Sequence, residues 1–378
     1  MIYLDNAATS FPKPAECLRT ALELYLEKGA SPGRGGYDLA VEAEELVNAA
    51  RRRLCRFFGG DDSYHLCFTH NATDALNVLI RGLVDPGSHV VSSRLEHNSV
   101  LRPLHHLRRQ GLINFDLVPF NEQGFIDPDQ VAAAITPDTK LVILTHASNV
   151  LGTIQPAKEI ADLCRARKVP LVLDASQSAG AVPIDVKGWG VQGIAFTGHK
   201  SLLGPTGIGG LLISPELDPQ PTRFGGTGVD SGSLYHTQEY PNRLEAGTIN
   251  LFGILALDSS LDYLERCHTV SYEREMSLLE KLRDGLERLP RVQTYCVHDL
   301  DNHLPLLTCT VDAIGSEDVG AILDGDFGIA VRAGLHCAPL VHQDLGTFEK
   351  GAVRFSLGIF TSEAEIDEAI RAMTAVAA

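Results

Sequence analysis

From residue 64 onward the chain alternates short apolar runs with stretches whose apolar residues recur at helical spacing. This alternation constrains the fold more than any other feature of the 378 residues. HLCFT (65–69) leads into ATDALNVLIRGL (72–83), where Ala75, Leu76, Leu79, Ile80 and Leu83 recur at helical spacing. HVVSS (89–93) precedes a helical pattern over 97–110. FDLVPF, KLVILT and PLVLD follow, and PAKEIADLCRARK between the last two reads as a helix with Pro in its first turn. GIAFT (193–197) and GIGGLLIS (207–214) complete the series. Strands that alternate with helices form βαβ units, and the resulting sheet must be covered on both faces. The pattern therefore predicts an α/β fold with a mainly parallel central sheet. Ligands bind such sheets at the carboxyl ends of the strands. The chemically capable residues fall at those ends: Thr69 to Thr73, Glu96 and His97, Asn149, Asp174 to Gln177, and Lys200.

After about residue 250 the pattern changes. Residues 270–289 carry Tyr272, Met276, Leu279, Leu282, Leu286 and Leu289 on one helical face. Strand-like runs follow (LPLLTCTV, GIAVR, AVRFSL), separated by helices near 316–324 and 362–377. We expect a large domain over 15–255 and a smaller α+β domain built from 1–14 and 256–378. A net charge of −16 argues against nucleic acid or an anionic membrane as partner. No apolar run approaches the roughly 18 residues of a membrane span, and MIYLDNAATSFPKP lacks the features of a signal peptide. Eight scattered cysteines without a C-x-x-C pair fit reduced thiols and a cytoplasmic location.

Lys200 is the most informative single residue. Alone, a lysine after an apolar strand can be an anion binder, a reactive amine or a surface charge, and the last is the commonest. Its neighbours narrow the choice. Asp174 closes the apolar run PLVLD, where a carboxylate needs a cationic partner. HNATDALN places Thr73 at a helix start whose free N–H groups suit a phosphate, and Thr197 and His199 add donors just before Lys200. A ligand with a phosphate, a ring nitrogen and an aldehyde would use all three features. Pyridoxal 5'-phosphate fits, with Lys200 as the amine that captures the aldehyde and Asp174 keeping the ring nitrogen protonated.

With those residues in view, the chain resembles the cysteine desulfurases of the class V aminotransferase family, which are fold-type I pyridoxal-phosphate enzymes. The resemblance runs through YLDNAAT, LEHNSV, SNVLGTIQP, DASQSAG, FTGHKSLLGPTGIGGL, EAGTIN, RAGLHC and VRFSLG. It implies that His97 stacks on the cofactor ring and that Asn149 and Gln177 hydrogen-bond near the ring and the substrate. It further implies that Ala72 (through its N–H), Thr73, Thr197 and His199 cradle the phosphate. Thr248 matches a position that reaches the phosphate of a second subunit, so the resemblance implies a homodimer with shared active sites. A helix cap is the ordinary alternative for Thr248.

Seven cysteines lie in helical or strand patterns and read as small core residues. Cys337 instead lies in a loop beside His336, and exposure with a nearby imidazole raises the thiolate fraction. The resemblance makes Cys337 the sulfur acceptor that becomes a persulfide. It makes Arg354 the clamp on the substrate carboxylate, against the ordinary reading of a salt bridge to a local acid, with Arg332 in the same neighbourhood. The implied reaction takes sulfur from L-cysteine and leaves L-alanine, with a sulfur-acceptor protein downstream and iron–sulfur cluster assembly among the destinations. The short connection at Cys337 resembles a group that includes selenocysteine lyases, so L-selenocysteine is an alternative substrate. An aminotransferase or a carbon–sulfur lyase of the same family is another alternative. GPTGIGG lacks the spacing of a nucleotide-binding loop. No metal site is expected, because His105 with His106 and His336 with His342 have no companion ligands at diagnostic spacing and read as solvated surface.

Overall fold

The computed structural model describes residues 1–33 and 35–378, with the side chains of 268–270 set aside. A short strand β1 (Ile2–Tyr3) and two helices, α1 (Ala15–Lys28) and α2 (Asp38–Phe57), precede the alternating region. That region reads β2 (His65–Thr69), α3 (Ala72–Leu83), β3 (Ser88–Ser93), α4 (Asn98–Arg109), β4 (Ile113–Val118), α5 (Pro128–Ala134) and β5 (Thr139–Thr145). It continues with α6 (Ala157–Ala166), β6 (Leu171–Asp174), α7 (Val186–Trp189), β7 (Gly193–Thr197) and β8 (Gly209–Ile213).

The seven strands pair in the order β2-β8-β7-β6-β5-β3-β4. Every pairing is parallel except the two made by β8. Period-two alternation sends Val142 and Leu144 of β5 into one apolar layer and Leu141 and Ile143 into the other. The sheet is thus buried on both faces, as the apolar runs require. Register does the functional work. Thr145 sits beside Asp174, and Thr69 and Thr197 both face Gly209, so the polar ends of neighbouring strands lie level.

The remainder contains α8 (Leu251–Glu287), β9 (Val292–Tyr295), β10 (Leu306–Val311), α9 (Ser316–Phe327), β11 (Ile329–Ala330) and β12 (Arg332–Gly334). It ends with α10 (Pro339–Asp344), β13 (Ala352–Ser356) and α11 (Glu363–Val376). Strands β12-β13-β10-β9 form an antiparallel sheet, and β1 pairs with β11. A separate core gathers Leu4, Leu279, Leu282, Leu307, Phe355 and Ile366.

The long helix differs from expectation. It begins at Leu251 rather than near 270, so residue 255 lies inside a continuous helix. Ile254, Leu257 and Leu261 pack into the large core, whereas Leu279, Leu282 and Leu286 pack into the small one. Gly253 and the Ser259–Ser260 pair resemble a break in sequence, but Ser260 Oγ donates to the Ala256 carbonyl a turn earlier at 2.8 Å and the helix continues. Pro156 caps α6 rather than entering its first turn. Two cysteines expected in the core lie outside it: Cys296 follows β9 in a left-handed turn (φ 55°), Cys267 lies on α8, and both are only half-buried.

Candidate active site

The cradle expected for a phosphate lies where α3 starts. Asn71 caps the helix by accepting the Asp74 N–H at 3.0 Å, and the amides of Ala72 and Thr73 have no acceptor within the helix. Gly209 makes this approach possible, because a Cβ there would sit 2.9 Å from the Asn71 Cα. Thr73 Oγ1 is 2.7 Å from Ser99 Oγ, which lies 2.9 Å from His97 Nδ1. His97 is itself the cap of α4, accepting the Ser99 N–H at 3.0 Å. Burial and the Lys200 charge pull its imidazole down to about 4, so the ring is neutral. Thr197 Oγ1 and His199 Nδ1 are buried without a hydrogen-bond partner. A buried polar atom left without a partner calls for a group that completes it.

Lys200 stands on the turn after β7. The Leu203 N–H donates to the Lys200 carbonyl at 2.8 Å, and the Gly204 N–H donates to the Gly198 carbonyl at 2.8 Å. Gly180, in the left-handed region (φ 84°), backs the turn, and a Cβ there would collide with the Ser201 backbone at 2.6 Å. Burial pushes the amine down to about 8, opposed by Asp174 and Asp5 and helped by Arg354. Cys337 also acts on it electrostatically. Asp174 is 4% exposed, and its Oδ1 accepts the Ser176 N–H at 2.9 Å and the Ser176 hydroxyl. Among the described residues it has no ion-pair partner within 4.0 Å. Glu96 is fully buried, bonded by Ser93 Oγ at 2.5 Å and the Thr145 N–H at 2.9 Å, and burial pushes its carboxyl up to about 8.

The small sheet supplies the rest. Cys337 is exposed at the tip of a turn in which His336 and Cys337 are both left-handed (φ 50° and 57°). Successive non-glycine residues in that region are strained. Two bonds from the large sheet's side hold the turn: Asn149 Nδ2 donates to the His336 carbonyl at 2.7 Å, and the Asn98 N–H donates to the Cys337 carbonyl at 2.7 Å. Cys337 shares a cleft with Thr73, His97, Ser99 and Arg102. Arg354 is 3% exposed; Nη1 donates to the Asn149 carbonyl at 2.8 Å and Nη2 pairs with Asp5 at 2.9 Å, while Nε has no partner. The ordinary salt bridge and an open valence thus coexist. Arg332 is exposed and sits directly across from Arg354 in the β12–β13 register.

One expectation changes, and the helix-cap alternative for Thr248 falls away. His336 and His342 are buried, not solvated. Their rings meet at 3.1 Å, and His342 Nδ1 lies 2.7 Å from Thr347 Oγ1. Burial holds the His336 ring well below its ordinary range, so it braces the turn as a neutral group. Thr248 is exposed in a different cleft, with Arg51 and Glu245, and the cap of α8 is Asn250 instead. Gln177 Nε2 donates to the Ala7 carbonyl at 3.1 Å, tying the N-terminal segment to the Asp174 turn. Asp5, which the sequence pattern did not single out, carries the same signal: it follows IYL as Asp174 follows PLVL. Ser99, which joins Thr73 to His97, carried no such signal. No group of three potential metal ligands occurs among the described residues, and no described helix is long and apolar enough to cross a membrane.

A seven-stranded, mostly parallel sheet with its partly buried amine on the turn after β7 is the scaffold of the fold-type I pyridoxal-phosphate enzymes. Within that class the chain belongs to the aminotransferase class-V family, whose model matches residues 2–369. A probable cysteine desulfurase of Methanothermobacter thermautotrophicus is 34% identical over 372 residues, covering 97% of this chain and 92% of that protein. The apo structure of a cysteine desulfurase from Thermococcus onnurineus NA1 superposes with a TM-score of 0.92 at 32% identity, covering 100% of this chain and 94% of that one. The S-sulfonic acid form of the Escherichia coli cysteine desulfurase CsdA gives 0.86 at 27% identity, covering 98% and 93%. The family works with pyridoxal phosphate. The residues present fit it: Thr197 and His199 have buried atoms awaiting a partner, and Asp174 lacks a cation.

Proposed function

We propose that the protein is a cysteine desulfurase that moves sulfur from L-cysteine to Cys337 and releases L-alanine. One observation carries the reading: a lysine with a depressed amine, a buried unpaired aspartate and an exposed thiol share one electrostatic neighbourhood. Bound pyridoxal phosphate would supply an electron sink for the substrate's Cα carbanion. Thr73, Thr197, His199 and the Ala72 N–H would hold its phosphate, Asp174 its ring nitrogen, His97 its ring face and Lys200 its aldehyde carbon.

The chain's own residues then divide the work. Lys200, near neutrality once buried, takes the Cα proton of the substrate and returns protons to the carbon skeleton. Arg354 receives the substrate carboxylate; its bidentate edge suits a planar anion, and Asp5 is the internal anion that the substrate must displace or join. Asn149 links the two tasks, its backbone oxygen accepting from Arg354 while its side chain holds the Cys337 turn. The Cys337 thiolate attacks the substrate sulfur. The Cβ–S bond breaks, an S–S bond forms, and Cβ ends with one additional proton, that of the substrate thiol. The sum is cysteine plus enzyme thiolate giving alanine plus enzyme persulfide, with no external oxidant or reductant.

A homodimer with shared sites accounts for Thr248, and for the exposed Leu26, Tyr37, Leu234 and Tyr235. A protein acceptor that unloads the persulfide would dock at the Cys337 tip. The test is alanine release from L-cysteine by the yellow holoenzyme, with L-selenocysteine in competition. Alanine formed from cysteine supports the reading; turnover of selenocysteine alone transfers the site to the lyase alternative.

A further inference from the structure

Four hydrogen-bond donors from one short stretch of the N-terminal segment meet at a single backbone oxygen. The His199 carbonyl accepts from the Ser10 N–H at 3.1 Å, Thr9 Oγ1 at 3.0 Å, Ser10 Oγ at 3.2 Å and Lys13 Nζ at 2.9 Å. A carbonyl oxygen has two lone pairs, so this is more donation than the acceptor requires. The oxygen belongs to the peptide that joins His199 to Lys200. Its neighbours behave differently: the turn satisfies the Gly198 and Lys200 carbonyls from within, through the Gly204 and Leu203 N–H groups. Only the middle carbonyl is handed to a segment almost two hundred residues away in sequence.

Lys13 is the charged member of the group. It is half-buried, it forms no ion pair with a carboxylate among the described residues, and it also donates to Ser10 Oγ at 2.9 Å. A half-buried ammonium without a carboxylate must satisfy its N–H groups on neutral oxygens, and here those are the His199 carbonyl and Ser10 Oγ. At its other end the same segment is fixed to the small sheet. β1 pairs with β11, Asn6 Nδ2 donates to the Ser356 carbonyl at 3.1 Å, and the Ala7 N–H donates to Ser356 Oγ at 2.9 Å.

We propose that Lys13 is a positioning residue for Lys200: its ammonium, with the hydroxyls of Thr9 and Ser10, fixes the His199–Lys200 peptide so that the amine swings from a stationary backbone. The proposal rests on Lys200 being the reactive amine of the proposed function. A four-carbon side chain that must leave and return to one carbon loses effective concentration quickly if its own peptide plane rocks. Charge-assisted donation is the strongest bond in the set, so Lys13 contributes more than either hydroxyl.

The test compares Lys13→Met and Lys13→Arg with the unmodified enzyme. A lost charge-assisted hydrogen bond of this kind corresponds to about a tenfold or greater loss in the rate it supports. Lys13→Met is expected to lower kcat on the order of tenfold with KM for cysteine unchanged, and to slow uptake of pyridoxal phosphate by the apo-protein, followed by visible absorbance, by a similar factor. Lys13→Arg, which can donate to the same oxygen, restores most of both. Wild-type kcat and uptake in Lys13→Met would overturn the proposal. Equal impairment of both variants, with KM raised and melting temperature lowered, would overturn it too, since that is the signature of packing alone. Borohydride trapping on the unmodified enzyme separates the two ideas: an adduct away from Lys200 defeats the functional reading, whereas an adduct on Lys200 with an unaffected Lys13→Met defeats only this one.

Discussion

The two sheets present their polar groups to the cleft in opposite ways. At the carboxyl ends of the large sheet the polar groups are buried and incomplete: Thr197 Oγ1 and His199 Nδ1 lack partners, and Asp174 lacks a cation. On the small sheet the key groups are exposed or, apart from the open Nε of Arg354, already engaged. Arg354 is paired with Asp5 and the Asn149 carbonyl, and Cys337 stands in solvent on a strained turn. The first region is preorganised for a resident group that completes it. On the proposed function, the second would exchange internal bonds for substrate ones at every turnover. Rigid groups with open valences suit a cofactor, and replaceable contacts suit a substrate that must leave.

The contrast can be broken at the thiol first. Cys337→Ala removes the exposed nucleophile without touching the large sheet. Alanine formation from cysteine is expected to fall by on the order of a thousandfold, with uptake of pyridoxal phosphate unchanged. Full alanine production by the variant would show that the small sheet does not carry the sulfur step.

Next is the ion pair. Arg354→Ala should raise KM for cysteine by roughly ten- to a hundredfold, the size of a lost charge-assisted contact. Asp5→Asn should act the other way, lowering KM severalfold because the competing carboxylate is gone. Removing one member of a buried pair also costs about 3–5 kcal/mol when nothing replaces it, so both variants should melt earlier. A rise in KM for Asp5→Asn would mean that Asp5 orients Arg354 rather than competing for it.

These predictions depend on residues that were unequally legible in sequence. Asp174 and Lys200 stood out because each places a charge against an apolar strand, and the alternation of strands and helices placed both at the same edge of a sheet. Asp5 offered the same signal just after a two-residue strand, too short to register as one. The antiparallel direction of β8 left no trace, since a buried strand reads alike in either sense. Helices α1 and α2 precede the alternation, so no strand–helix rhythm marks them. His336 and His342 were misread because two histidines in a polar segment look solvated until their neighbours close over them. Lys13 gave no sign, because its acceptor is a backbone oxygen far along the chain.

A smaller effect sharpens the large-sheet side. Only the unprotonated amine captures an aldehyde, and burial pushes Lys200 down to about 8. Uptake of pyridoxal phosphate by the apo-protein should therefore climb about tenfold per pH unit below that value and level off above it. A rate still climbing at pH 10 would mark a solvated lysine.

The smallest effect concerns Glu96, whose carboxyl burial pushes up to about 8. Between the ordinary carboxylate range and that value the folded state holds a proton that the unfolded chain releases, so stability falls as pH rises through the window. Glu96→Gln removes the titration. The melting temperature of the variant should change less between pH 5 and pH 8 than that of the parent, and an identical change would assign the slope to other groups.

The most direct test of the account follows the sulfur itself. Holoenzyme is mixed with one equivalent of sulfur-labelled L-cysteine, quenched within a turnover, alkylated and mapped by mass spectrometry while alanine is counted. The account predicts one labelled sulfur on Cys337 for each alanine released. Alanine accompanied by free sulfide, with Cys337 unlabelled, would contradict it.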